Sequence, residues 1–429
     1  MHRTFPNYLL KSGWNALLPA RQAHPHLQSS ETADVVIVGA GYTGLACARR
    51  WQELAPDARV VLMDASEIGE GNPGRNSGFL LEIALAEDAD PANIKRMETC
   101  NQLTQEAMVS IVNDVNASGQ ALDLIRAGTY RAAASEIGLS ALRNYQSFLD
   151  TADLPYKVLS KEDLALEIGT RFYQEGLFSP HCYLAQPAAV IRAIAQQIPS
   201  SIKLFENTPA LEANRSGDSW HIKTPEGSLS CGHLVLANNA FAKKLGVAGS
   251  QIASVFTYAA ITPVLKDSIL DNLGANKNWG LLPCHRFGST LRRTVDGRIL
   301  IRSLHDLEKE GESQNIRRGL EERLWNRFPQ LKGIGFEYVW GGAIGFTLNG
   351  APIWGEVEPG LFTSIGCNGG GTVKGTLLGR LLAEHALGKS VPDIRALFGT
   401  ASWMPPNPVR KLGFHISSKF QSWQGRREI

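Results

Sequence analysis

The stretch Asp34-Val-Val-Ile-Val-Gly39-Ala-Gly41-Tyr42-Thr43-Gly44 joins an unbroken apolar run to a Gly-x-Gly-x-x-Gly turn, which is how a dinucleotide site begins. An apolar run of this kind suits a parallel strand covered on both faces. Gly39 permits a tight turn, Gly41 lets the backbone approach a pyrophosphate, and Gly44 lets the next helix pack closely on the sheet with its first amides aimed at the phosphates. Glycines alone are a weak signal. A second apolar run, Val60-Val61-Leu62-Met63, strengthens it by ending in Asp64-Ala65, because a carboxylate about twenty residues past the last glycine accepts hydrogen bonds from a ribose diol.

A nicotinamide enzyme needs nothing more from the far end of the chain, whereas an extended FAD must be gripped at both ends. Two later glycine clusters supply the second grip. In Gly69-Glu-Gly-Asn-Pro-Gly74-Arg75-Asn76-Ser77-Gly78, small residues leave room for a flat ring while Arg75, Asn76 and Ser77 carry donors for phosphate or flavin edges. In Leu361-Phe-Thr-Ser-Ile365-Gly366-Cys-Asn-Gly369-Gly370-Gly371-Thr372-Val373-Lys374, a strand and a glycine loop lead into a helical pattern from Gly375 to His385. The start of such a helix is electropositive and favours the negative charge that a reduced flavin carries on its pyrimidine side.

With these pieces in place, the chain resembles the FAD-dependent D-amino acid oxidase superfamily, and within it the gamma-glutamylputrescine oxidase-like and DadA-like enzymes. The resemblance is carried by Gly39-Ala-Gly41-Tyr42-Thr43-Gly44-Leu45, Gly74-Arg75-Asn76-Ser77-Gly78, Gln186-Pro187-Ala188, Leu234-Val-Leu-Ala237-Asn238-Asn239-Ala240, Asp296-Gly297-Arg298-Ile-Leu300 and Trp340-Gly-Gly342, with the closing glycine helix bearing Gly379 and Leu381. It covers nearly the whole chain. It implies a Rossmann-like α/β FAD-binding domain with an inserted antiparallel-sheet, α+β substrate domain, and non-covalent FAD. Besides the glycines and donors above, Ala210, Ala237, Asn238, Gly342 and the Gly366 to Val373 loop are expected to contact that FAD. Two departures stand out: relatives read Gly-Ala-Ser-Gly-Arg-Asn-Gly-Gly where this chain has Gly71-Asn-Pro-Gly-Arg-Asn-Ser-Gly78, and Asn349 stands where they place Asp.

The expected organisation is discontinuous: an N-terminal arm (1–32), an FAD domain (33–85, 179–250, 337–400), a substrate domain (86–178, 251–336) and a tail (401–429). Pro91 to Arg126 reads as one long helix or two, Val255 to Ile261 and Thr290 to Arg302 as strands with a hairpin at Asp296-Gly297, and the tail as an irregular, basic surface arm. With 429 residues, 43% hydrophobic content and a net charge of +2, the chain has ample core and no basic stripe for nucleic acid. The six cysteines lack any Cys-x-x-Cys pair, which argues against zinc and disulfide frameworks and for a cytoplasmic setting. No apolar run approaches the roughly eighteen residues a membrane span needs.

No catalytic triad, metal-ligand cluster or carboxylate pair stands out, in keeping with chemistry carried by the cofactor. A flavin amine oxidase needs an apolar cage that favours the neutral amine and a polar anchor for the rest of the substrate. Cage candidates are Tyr258, Phe287, Trp340 and Phe346; anchor candidates are His285, Arg286, Arg292, Arg293 and Arg302. Adjacent Arg292 and Arg293 should point to opposite faces of a strand. Sarcosine oxidases, in the same superfamily, hold a carboxylate with a lysine near Lys374, but the match puts Val373 at that spot, and a helix turns about 100° per residue. Their oxygen-activating lysine would fall among Ile299, Leu300 and Ile301, and their FAD-tethering cysteine near Gly342. The expectation is an amine, gamma-glutamyl-polyamine-like, oxidised to an imine, with oxygen or a quinone-like acceptor taking the electrons. An amino-acid oxidase is the first alternative and a flavin-bound RNA-modifying or assembly factor the second.

Overall fold

The computed structural model describes residues 4–83, 93–120 and 123–429. Its first sheet has eight strands, with Ser30–Val38 at the centre, parallel to Val60–Met63 on one side and Ser228–Leu236 on the other. Lys203–Phe205 and Leu361–Ile365 extend it in parallel. Antiparallel Ile353–Glu358 and the pair Glu212–Ser216 and Ser219–Lys223 complete it. Alternate residues of the central strand enter different cores. Val35 and Ile37 pack with the helices Tyr42–Leu54, Ile94–Ala117, Pro187–Gln196 and Val373–Ala386, whereas Val36 and Val38 pack with Trp220, Ile222 and Leu245. Burial on both faces is why this strand reads as an unbroken apolar run.

The second sheet is also eight-stranded, in the order Tyr338–Phe346, Ala253–Ile261, Ile299–Leu307, Thr290–Arg293, Trp279–Pro283, Thr129–Ala133, Glu175–Ser179, Lys157–Ser160. All its pairings are antiparallel except Trp279–Pro283 with Thr129–Ala133. Register fixes what each face carries. Arg292 lies opposite Leu300, Arg302 opposite Ala259, Ala259 opposite Trp340, and Thr257 opposite Gly342, so these residues share one face. Tyr258, Ala260, Leu291 and Ile301 fill the other face with Leu320 and Leu324 of the helix Ser313–Arg327. The 337–400 segment, expected to serve the first domain, therefore divides: Tyr338–Phe346 pairs along its full length with Ala253–Ile261, and the first sheet takes up only Ile353–Glu358 and Leu361–Ile365. Of the long helical stretch expected from Pro91, that residue lies outside the described part, and Ile94–Ala117 forms a single helix.

The tail is not irregular. Val409–Gln424 is a helix, and both ends of the segment are fastened. Met404 N–H donates to Ser250 O (2.6 Å). At the other end the buried Glu428 carboxylate accepts from Ala134 N–H (2.8 Å) and Ser135 Oγ (2.7 Å), while its carbonyl accepts from Arg327. Glu428→Ala keeps the backbone carbonyl for Arg327 but leaves the Ala134 and Ser135 donors without the carboxylate, which costs about 1–3 kcal/mol. The variant should unfold several degrees below wild type in a thermal melt; an unchanged midpoint would mean the strap is not fastened there.

Candidate functional site

The candidate cofactor cleft is the region where the first strand ends. Gly39 has φ +107°, a conformation L side chains rarely adopt, and a Cβ there would stand 2.9 Å from the Ala237 backbone. The first turn of the helix Tyr42–Leu54 then packs closely on the turn before it and on the helix Val373–Ala386, with Thr43 against Gly375 and Gly379 of the latter. A Cβ on Gly44 would lie 1.8 Å from Gly39 O, and one on Gly379 2.1 Å from Thr43 O. Neither Gly41 nor Thr372, the residues that cap these helices, makes a side-chain capping bond. The two first turns thus leave amide donors at neighbouring points, the arrangement that an anionic diphosphate and an electron-rich ring edge require.

At the end of the second strand, Asp64 accepts from Ala40 N–H (2.8 Å) and from Ser66 N–H and Oγ (3.0 and 3.2 Å), with half-buried Ala65 beside it. Burial pushes the Asp64 carboxyl pKa up, against the pull of the Ser66 and Ala40 amides. Ala210 is buried, its carbonyl taken by Thr4 of the N-terminal arm. The Tyr42 hydroxyl and Asn238 Oδ1 are buried with no hydrogen-bond partner, so the protein alone leaves polar atoms here unsatisfied. The Gly366 loop is set by two asparagines whose roles the sequence reading missed. Asn239 Oδ1 accepts from Gly366 N–H (3.0 Å) and Cys367 N–H (3.3 Å); Asn368, at φ +47°, donates to Gly366 O (2.8 Å). Gly369, Gly370, Gly371 and Thr372 come directly after, and Val373 turns into the core. Lys374 Nζ sits 4.8 Å from the Phe398 ring centre, consistent with the one-residue offset.

The Arg75 to Gly78 loop works differently from expectation. Arg75 is a clamp: its Nη1 donates to Leu10 O and Gly341 O (both 2.9 Å), its guanidinium lies 3.7 Å from the Tyr8 ring centre, and Trp340 Nε1 donates to its carbonyl (3.0 Å). Burial lowers the pKa of this guanidinium. Asn76 spends its amide on Pro73 O (2.7 Å) and accepts from Gly78 N–H (2.8 Å). Ser77 is half-buried between them. A Cβ on Gly342 would stand 2.7 Å from Asn72 Oδ1, so the bare residue lets this loop lie on the second sheet.

Most of the substrate candidates separate on the two faces of that sheet. Tyr258 is on the far face, its hydroxyl bonded to Asp306 (2.7 Å) and Gly311 N–H (2.7 Å), and so is no cage for a ligand beside Gly342. Arg293 also points away, among the carbonyls of Leu270, Leu273, Gly274 and Asn276. Trp340 is on the cleft face but sealed under Trp14 and Leu300. Phe346 ends the same strand, half-buried. His285 packs under Gly425 of the tail, Phe287 stacks on His305 at 4.3 Å, and Arg286 is exposed. Two arginines remain on the cleft face. Arg302 is half-buried and donates from Nε to Thr257 Oγ1 (3.2 Å). Arg292 is 1% exposed, against Gly78 and hydrogen-bonded to Ala185 O. Burial lowers its pKa to about 10, its Nε has no partner, and among the described residues no carboxylate forms an ion pair with it. Two surface recesses, of about 300 Å³ beside Leu10 and Arg317 and about 510 Å³ beside Leu270 and Arg293, lie apart from this cleft.

Comparison with known proteins agrees with this geometry. Residues 34–385 match the family model DAO, described as FAD dependent oxidoreductase. The probable oxidoreductase OrdL of Rhizobium meliloti (strain 1021) is 25% identical over 393 residues, spanning 88% of this chain and 89% of its own. The gamma-glutamylputrescine oxidoreductase of Escherichia coli (strain K12) is 25% identical over 372 residues, 83% of this chain and 84% of its own. Among solved structures, glycine oxidase from Geobacillus kaustophilus superposes with a TM-score of 0.74 at 18% identity, covering 87% of this chain and all of the other, a likeness of fold. A turn built for a pyrophosphate, an acid at the second strand's end, a distant second helix start in the same cleft and a family match across most of the chain reach one conclusion: this protein belongs to the DAO family of FAD-dependent oxidoreductases.

Proposed function

We propose that the enzyme oxidises the C–N bond of an amine whose other end carries a carboxylate, a gamma-glutamyl polyamine being the type of substrate. The observation that carries the reading is the positive cleft face of the second sheet, where Arg302 and the buried Arg292 stand on the side of Gly342. The amine loses a hydride and a proton to become an imine, which water hydrolyses to a carbonyl compound and an amine or ammonia. FAD, held without a covalent link, supplies the two-electron acceptor, and oxygen or a quinone-like compound re-oxidises it. The chain's own part is placement. An arginine several bonds away fixes the reacting carbon without charging the reaction centre.

Arg302, less buried than Arg292, suits the remote carboxylate. In oxygen-free rapid mixing, gamma-glutamylputrescine should bleach the flavin faster than putrescine, and Arg302→Ala should remove most of that advantage, roughly 10- to 100-fold for one charged hydrogen bond. Putrescine bleaching as fast in wild type would defeat the substrate reading. The depth of Arg292 favours a second reading, an amino acid whose carboxylate adjoins the amine and lies close to Gly78.

A further inference from the structure

The tail helix Val409–Gln424 carries an apolar stripe that is exposed, with no partner among the described residues. Val409, Leu412, Ile416, Phe420 and Trp423 recur at helical spacing, and each is between 55% and 64% exposed. The opposite face is the one docked on the body of the protein: Phe414 packs edge-on against His305 at 5.6 Å, and Ser418 Oγ lies 3.3 Å from His305 Nε2. The helix therefore cannot roll to hide its stripe. Fastening at Met404 and Glu428 holds it in that orientation.

The charge around the stripe identifies the partner. The helix contains no Asp or Glu, while Arg410, Lys411 and Lys419 lie on it and Arg426 and Arg427 come just after it. Arg410 and Lys411 are within 4 Å of Glu308, but Lys419, Arg426 and Arg427 are exposed, with Lys419 beside the stripe. A basic amphipathic helix with aromatic residues in its apolar face is built to lie in the plane of an anionic lipid surface. A second copy of the chain fits less well: stable interfaces engage roughly 20–30 residues a side, and two such helices would bring like charges together. Among the described residues no helix is long and apolar enough to cross a membrane; attachment of this kind needs none.

We propose that Val409–Gln424 is an interfacial helix that seats its Leu412, Ile416, Phe420 and Trp423 side chains in the surface of an anionic bilayer. The proposal goes beyond the substrate reading and is independent of it. The test is co-sedimentation of the full FAD-loaded protein with vesicles of phosphatidylcholine alone or with about one-third phosphatidylglycerol. Wild type should pellet with the anionic vesicles, less so as salt rises, and stay in solution with the neutral ones. The variant Lys419→Gln/Arg426→Gln/Arg427→Gln should bind on the order of 100-fold more weakly. Leu412→Ser/Ile416→Ser/Phe420→Ser should not pellet, with an unchanged flavin spectrum and thermal midpoint showing that it is folded. Wild type remaining in solution with both vesicles would overturn the proposal. So would a concentration-dependent dimer that the serine variant dissolves, which would assign the stripe to a second copy.

Discussion

Gly44→Val should yield protein without FAD. A Cβ at this position would meet Gly39 O at 1.8 Å, and because the obstacle is backbone no rotamer change relieves it. The start of the helix Tyr42–Leu54 must then move off the strand that ends at Val38, carrying the first-turn amides away from where a pyrophosphate is held. Overpacking a core costs about 1–3 kcal/mol when side chains yield, and more is expected where the backbone must shift. Gly379→Ala should act alike, since its Cβ would stand 2.1 Å from Thr43 O. Gly413→Ala is the control: it lies in the exposed tail helix with nothing within 4 Å, and there alanine should gain about 1 kcal/mol of helix propensity. Flavin released to the supernatant by acid precipitation measures occupancy. Near-wild-type flavin in Gly44→Val would show that the two helix starts do not form the cofactor grip.

The contrast between these glycines explains what the sequence could reveal. The Gly39 to Gly44 turn, Asp64 and the Gly366 to Val373 loop serve backbone geometry, and backbone geometry leaves fixed spacings in the chain. The substrate face leaves none. Whether Tyr258 or its neighbours Thr257 and Ala259 face the cleft is a question of parity, and one residue of register reverses it. A bulge between Thr257 and Tyr258, with Leu304 at φ +60° in the partner strand, resets the count locally. Strand alternation did separate Arg292 from Arg293, but it did not say which faced inward. Arg75 reads as a phosphate donor by residue type, yet its partners are the nearby Glu70 carbonyl and carboxylate and the carbonyls of Leu10 and Gly341, far away in sequence. The tail is a different case. Its signal was present, apolar residues at 409, 412, 416, 420 and 423, but Pro405, Pro406 and Pro408 and the run of basic residues made it read as an irregular arm.

The charge of Arg292 poses an energetic problem that a bound carboxylate would resolve. Removing a guanidinium from water costs several kcal/mol even after relaxation, and one carbonyl, Ala185 O, with the charges of Asp123 and Asp296 too far off to pair, does not repay it. Trp14, 5.5 Å away, adds only a weak cation–π contact. In the absence of ligand, Arg292→Met should therefore be no less stable than wild type, because exchanging a buried ion for an apolar side chain of similar volume is often neutral or stabilising by about 1–4 kcal/mol. The loss should fall on function instead. For substrates whose carboxylate adjoins the amine, flavin reduction at limiting substrate should slow on the order of 100-fold, the worth of a hydrogen-bonded charge. For substrates with a remote carboxylate, the larger loss should follow Arg302→Ala. Arg292→Lys separates charge from geometry, since lysine keeps the former and cannot reproduce a two-pronged grip. A ligand-free Arg292→Met that melts well below wild type, with unchanged reduction by every carboxylate-bearing amine, would make Arg292 a packing post between Gly78 and Ala185 and leave Arg302 as the one anchor to test.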